Sequence, residues 1–264
     1  MSIYPKKQLI LFGLCLMLVF PIGCSRTNPE HAIFLRLKGK KGDVYTYRVS
    51  MNMDVDASDF PIPPEATPQE RALLDGPQGL KLAATLVQEI TDVSPDGDIT
   101  WKETVKDPRI DGTGLFKSLG EQMEKNMKTE VATRVTNNRG DVLKKERPFG
   151  GLGGSSPLEN PGFAPIFPEG SVRIGDTWVE KTTVGEDQVT ATYKAERLET
   201  LAGLECVVIS VMLSSDYELR SEKPILIWVE RSNGQLVKAE GAFQGVQAAM
   251  KLNLKVNVYR LSPK

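Results

Sequence analysis

The sequence predicts a mainly β protein: two similar antiparallel β-sheet halves, forming a curved sheet or an incomplete barrel, with one or two short helices. Three observations predict it. Apolar residues recur at every second position over long runs, Asn-Gly and Asp-Gly pairs separate those runs, and the same set of features occurs twice in the same order.

The strands come first. Tyr45, Tyr47, Val49, Met51, Met53 and Val55 alternate with Thr46, Arg48, Ser50, Asn52 and Asp54. This is the period of a strand with one polar face. Met250, Leu252, Leu254, Val256 and Val258 repeat it at the C-terminus, as do Val189 to Ala195 and Val207 to Leu213. Shorter versions stand at Ile99 to Trp101 and Val131 to Val135. One polar face argues for antiparallel pairing, because parallel strands are covered on both sides. The turns follow. Ser94-Pro95-Asp96-Gly97-Asp98, Asn137-Asn138-Arg139-Gly140-Asp141 and Ser232-Asn233-Gly234-Gln235 each lie between a pair of apolar runs. Asn, Asp and Gly tolerate the positive φ angles that tight hairpins need.

Two helices are credible. Leu115, Leu119, Met123 and Met127 stand four residues apart and place one apolar stripe on residues 114–127. Thr67-Pro68-Gln69-Glu70 is a capping box with Pro at the first helical position, followed by Ala72-Leu73-Leu74.

The halves resemble each other. Gly42-Asp43-Val44-Tyr45 opens one and Gly175-Asp176-Thr177-Trp178 the other. Each continues into an alternating hairpin and then an Asn/Gly hairpin whose second strand ends Lys-x-Glu. In the Gly-Asp-Thr-Trp element, Gly175 suits a tight turn, Asp176 suits backbone amides within it, and Trp178 starts a strand and buries its ring. The expected divisions are a signal peptide at 1–23, a lipidated tether at 24–31 and a first β half at 32–147. A Pro/Gly-rich linker at 148–170 and a second β half at 171–264 follow.

The N-terminus is a targeting segment. Lys6 and Lys7 precede a twelve-residue apolar run from Leu9 to Phe20. That run is too short to cross a hydrocarbon core of about 30 Å as a helix. It ends in Pro21-Ile22-Gly23-Cys24-Ser25, which resembles the lipobox of bacterial lipoproteins. Gly23 and Cys24 match that motif, while Pro21 stands where Leu is usual. The resemblance implies cleavage after Gly23 and acylation of Cys24. It places the protein in the bacterial cell envelope, anchored to a membrane by lipid, and Ser25 favours the outer membrane. Without its signal the chain carries a charge of −3. Attachment then falls to the lipid, whose buried methylenes contribute about 0.8 kcal/mol each.

The mature chain resembles bacterial exported proteins with a Phe-Pro…Gly-Asp-Thr-Trp motif, present here from Phe167 to Trp178. Its arrangement also looks like the lipoprotein-carrier class, in which a curved antiparallel sheet encloses an apolar cavity lidded by helices.

The available chemistry is narrow. The chain has one histidine, His31, beside the tether, so Ser-His-Asp and Cys-His sites lack a base. Cys206 is left alone once Cys15 is cleaved away and Cys24 is acylated, and it reads as a small buried hydrophobe. No cluster suits zinc. Asp96 and Asp98 lack the further oxygens of a calcium loop. Lys plus Arg number 33 against 34 Asp plus Glu, which gives no nucleic-acid footprint. No catalytic residue, metal or cofactor is expected. The expected role is non-enzymatic: binding of an apolar ligand, such as a lipid, or of an envelope protein through the face of Tyr45, Tyr47, Met51 and Met53. Methionine adapts to irregular apolar surfaces. A structural or assembly scaffold without a small ligand is the alternative, and an acid-based hydrolase ranks behind both.

Overall fold

The computed structural model describes residues 32–56, 67–68, 76–128, 131–146, 163–184, 187–215, 221, 223–247 and 250–261. The signal peptide, Gly23, Cys24 and His31 lie outside the described residues, as do most of the expected capping-box helix and residues 148–162 of the expected linker.

Eleven strands follow in chain order: β1 (Val44–Asp56), β2 (Gln78–Val93), β3 (Ile99–Thr113), β4 (Val131–Thr136), β5 (Val142–Glu146), β6 (Thr177–Val184), β7 (Asp187–Leu201), β8 (Leu204–Ser215), β9 (Ile225–Glu230), β10 (Leu236–Gln247) and β11 (Met250–Arg260). They form one open antiparallel sheet in the order β5-β4-β3-β2-β1-β11-β10-β9-β8-β7-β6. Each half is a simple meander. The halves join where β1 pairs with β11, Val49 opposite Val258 and Met53 opposite Leu254.

The sheet is curved, and its concave face carries the main core. Tyr47, Val49 and Met53 of β1 lie there with Leu80, Leu82 and Leu86 of β2 and Tyr193, Ile209, Ile227 and Val258 of the second half. A smaller cluster of Cys206, Val208, Trp228 and Val237 packs on the convex face. Cys206 is a free, buried thiol, raised above its ordinary pKa by burial.

The expected helix forms as a 3₁₀ turn at Gly114–Phe116 followed by α1 (Lys117–Met127). Its buried residues are Gly120, Met123 and Met127, and it packs along β3. The close approach is why Gly stands at 120: an added Cβ would lie 3.2 Å from the Gly112 nitrogen.

The two Gly-Asp elements fold alike. Gly42 and Gly175 have φ of +93° and +96°. The Lys40 N–H donates to Asp43 Oδ2 at 2.8 Å, and the Arg173 N–H donates to Asp176 Oδ2 at 2.8 Å. Gly42 and Asp43 exchange backbone bonds with Ile90 of β2, and Gly175 and Asp176 do the same with Ala195 of β7. A carboxylate that accepts an N–H within its own turn fixes where the next strand begins.

Candidate functional site

The concave face is filled by the chain itself. Residues 32–38 and 163–168 run across it as irregular segments, held between the β4–β5 and β9–β10 turns. The first turn is built by Asn137, whose Oδ1 accepts the Arg139 and Asp141 N–H groups. The second is built by Asn233, whose Oδ1 accepts the Gln235 N–H at 3.0 Å. The outward carbonyls and amides of these turns then hold the segments. Leu37 N–H donates to Asn138 O at 2.8 Å, and Lys38 N–H to Asn233 O at 2.9 Å. Gln235 Nε2 donates to Lys38 O at 3.0 Å.

Residues 163–168 are tied mainly by side chains. Phe167 N–H donates to Arg139 O at 2.8 Å, and Arg139 Nε donates to Phe167 O at 2.7 Å. Trp178 Nε1 donates to Ile166 O at 2.8 Å, and its ring stacks on Tyr193 with centroids 5.2 Å apart. The segments also touch each other, Arg36 Nη1 donating to Pro168 O at 2.7 Å, and Ile33 bridges to Val172 just beyond the second one. Leu35 and Phe167 are fully buried. Residues 163–168 fall in the stretch whose Pro and Gly content reads as a linker. Here Phe163, Pro165, Ile166 and Phe167 are interior residues.

Arg139 also pairs with Glu180 of β6, linking the β4–β5 turn to the opposite edge of the sheet. Burial pushes the Glu180 carboxyl above its ordinary value, against the pull of Arg139.

A polar cluster lies beneath these segments in the first half. Gln88, Glu103, Arg134 and Thr136 are all buried at inward positions of β2, β3 and β4. Gln88 Nε2 donates to Glu103 Oε1. Arg134 Nε lies 2.8 Å from the same oxygen, although its N–H is not aimed along a hydrogen bond. Glu103 Oε2 has no hydrogen-bond partner among the described residues. Arg134 also sits over the Trp101 ring, whose Nε1 donates to Thr136 Oγ1 at 2.9 Å. Between cluster and segments is a cavity of about 40 Å³, lined by residues that include Tyr47, Gln88, Trp101, Arg134, Phe163 and Phe167. That volume holds roughly two water molecules.

The four residues expected to form a binding face all sit on the concave side. Tyr47 and Met53 are buried, and Tyr45 and Met51 are half-buried against the same core. Burial raises both the Tyr45 and Tyr47 phenols above their ordinary pKa. Tyr45 leans on Trp101 with centroids 6.2 Å apart. Gly175, Asp176 and Trp178 form the turn and aromatic stack described above. The structure adds residues that the sequence does not single out: Gln88, Glu103 and Arg134, and the apolar run Phe163-Ala164-Pro165-Ile166 that leads into Phe167. The visible signal for the polar group is phase. Gln88 and Glu103 continue the inward registers of Leu82-Ala84-Leu86 and of Ile99-Trp101. Among the described residues, no three His, Cys, Asp or Glu side chains stand together as a metal site.

Fold and site together define an open antiparallel sheet bent around a core that two of its own segments complete. No protein-family model matches the chain, and no curated protein matches it in sequence. Solved structures align with it at low identity. The hypothetical lipoprotein YmcC of Escherichia coli is 13% identical over 79% of this chain and 85% of that one, with a TM-score of 0.28. A LolA-superfamily protein of Nitrosomonas europaea is 8% identical over 84% of this chain and 88% of that one, with a TM-score of 0.22. Lipovitellin aligns with 85% of this chain through 26% of its own length, at 10% identity and a TM-score of 0.36. These scores describe a loose likeness of fold, and the strand order is what defines the architecture.

Proposed function

We propose that the chain is a lipid-anchored, non-enzymatic protein of the bacterial cell envelope that works through its outer surface, as a binding or assembly protein, and does not carry a lipid inside its sheet. One observation supports this above the others: residues 32–38 and 163–168 occupy the concave face, and the cavity between them and the polar cluster is about 40 Å³. Sites for small organic ligands measure roughly 300–1,000 Å³. The anchor is Cys24, cleaved after Gly23, with Ser25 favouring the outer membrane.

Native mass spectrometry of the gently purified protein tests the surface reading and the anchor together. The expected mass is the mature polypeptide plus acyl groups on Cys24 and nothing further, and Cys24→Ala abolishes the acyl mass. A second lipid bound in stoichiometric amount overturns the surface reading. Acylation that persists in the Cys24→Ala variant overturns the anchor.

A second reading, an apolar ligand against Tyr45, Tyr47, Met51 and Met53, draws on how the interior segment is held. Residues 163–168 are fixed by Trp178, Tyr193 and Arg139 side chains and pair with no strand. A ligand would take the place of Phe163 and Phe167, and it would appear as that extra mass.

A further inference from the structure

We infer that the convex face of strands β11, β1, β2 and β3 is a docking surface for an anionic phospholipid membrane. The register places five cations on that face within three adjacent cross-strand rows. Lys255 and Lys81 flank Asn52 in one row; Arg109 stands beside Ala83 and Ser50 in the next; Lys106 and Arg48 flank Thr85 in the third. All five are exposed. None makes a hydrogen bond or an ion pair among the described residues, whereas Lys128, Lys144, Lys194, Arg197, Lys238 and Arg260 all have carboxylate partners.

Strand spacing puts the five cations in an area of about 14 Å by 14 Å. That is within two Debye lengths at physiological salt, so their fields add. Asp111 is the acid within these rows, and Asp54, Asp107 and Glu240 border them. Glu124, which Arg109 also influences, is taken by Lys128 at 2.7 Å. A net charge of −3 for the mature chain therefore coexists with three rows of local charge about +4, or about +2 once Asp54 and Asp107 are counted and Glu240 is set against its partner Lys238, so the overall sum does not describe what this face attracts.

The occupant follows from what lies between the cations. Ser50, Asn52, Ala83, Thr85 and Asn257 are small or polar, and Tyr259 is the one large ring, at the margin. Protein interfaces concentrate their energy in buried aromatic and apolar anchors, which this face lacks. A level array of unpaired cations matches a surface of phosphate headgroups, where each basic side chain is worth roughly five-fold in binding. This occupant also rests on the lipid-anchor reading: a tether of residues 24–31 reaches at most about 28 Å when extended, which keeps the body beside the bilayer.

The test uses the mature chain with Cys24→Ser, so that no acyl group contributes. It is sedimented with phosphatidylcholine vesicles, with and without phosphatidylglycerol. Binding is expected only with phosphatidylglycerol, is expected to fall steeply with added salt, and is expected to weaken at least about a hundred-fold in the triple variant Lys81→Glu, Lys106→Glu, Arg109→Glu. An equal reversal at Arg173, Lys181 and Lys223 on the other half leaves it unchanged. Equal binding to both vesicles, no binding to either, or indifference to the triple variant overturns the proposal, as does capture of an acidic protein by this face without vesicle binding. If Cys24 proves unacylated in cells, the vesicle result stands and the anchor reading alone falls.

Discussion

Arg134 and Glu103 show how much one pair of residues decides. A buried carboxylate is costly unless a counter-charge and hydrogen bonds compensate it. Here Arg134 supplies the charge and Gln88 the hydrogen bond, while Oε2 is left bare. Replacing Arg134 with Met strands the carboxylate, and a loss of about 3–5 kcal/mol in urea denaturation is expected. Adding Glu103→Gln to that variant should recover some of the loss, because the charge no longer needs compensation. Glu230 gives a second residue-scale prediction. Burial opposes its ionisation, but hydrogen bonds from Ser232 and Arg260 outweigh burial and hold the carboxyl below its ordinary value of 4.5. A depressed folded pKa contributes stability that is present above 4.5 and is lost as pH falls through the folded value. Glu230→Gln should therefore cost about 1–2 kcal/mol at neutral pH. The gap to the parent should close in acid, as urea midpoints at the two pH values will show. Phase makes the polar cluster visible in sequence, since Gln88 and Glu103 occupy inward positions. Their pairing is not visible, because cross-strand register depends on bulges such as that between Ala83 and Thr85.

Turns and segments carry the next scale. Gly234 and Gly203 both have positive φ, +68° and +80°. An added Cβ at Gly203 meets nothing within 4 Å, whereas at Gly234 it would stand 2.5 Å from the Arg36 carbonyl and 2.9 Å from the Phe167 ring. Gly203→Ala should cost only the backbone term, about 1 kcal/mol. Gly234→Ala should cost more and should loosen residues 32–38, which hydrogen exchange of the Leu37 and Lys38 amides would register. Equal costs for the two variants would mean that the segment does not depend on this turn. The hairpins, the helix at 114–127 and the Gly-Asp turns are all legible, because each is specified by neighbours a few residues away. The role of residues 163–168 is not. Pro165 and Pro168 argue against a ladder strand there, and with the glycines around them they suggest a linker. Nothing local states that Phe163, Ile166 and Phe167 will find a concave face to fill, and burying such side chains contributes about 1.5–3 kcal/mol each. The apolar density of the run is the one clue to its destination.

For the whole molecule, the two similar halves can be read from the sequence, but their fusion into one sheet cannot. The alternation in β1 and β11 is the same whether each half forms a separate sheet or both share one, because period two records a face and not a neighbour. The charge count misleads in a related way. It averages a convex patch in which Lys and Arg outnumber the acids with the rest of the surface, and only register separates them.

The junction of β1 with β11 has a further consequence, in the order of manufacture. These are the first and last strands of the described sheet, and Leu261 N–H closes the junction on Thr46 O at 2.7 Å. Strands between them can pair as soon as they emerge, since each meets its sequence neighbour. The central seam must wait for β11, about 200 residues after β1, and such distant pairings form slowly. Until then β1 and β10 each expose a bare edge, the kind of surface that recruits stray chains. The join in the middle of the sheet is thus the last of the sheet's pairings to form.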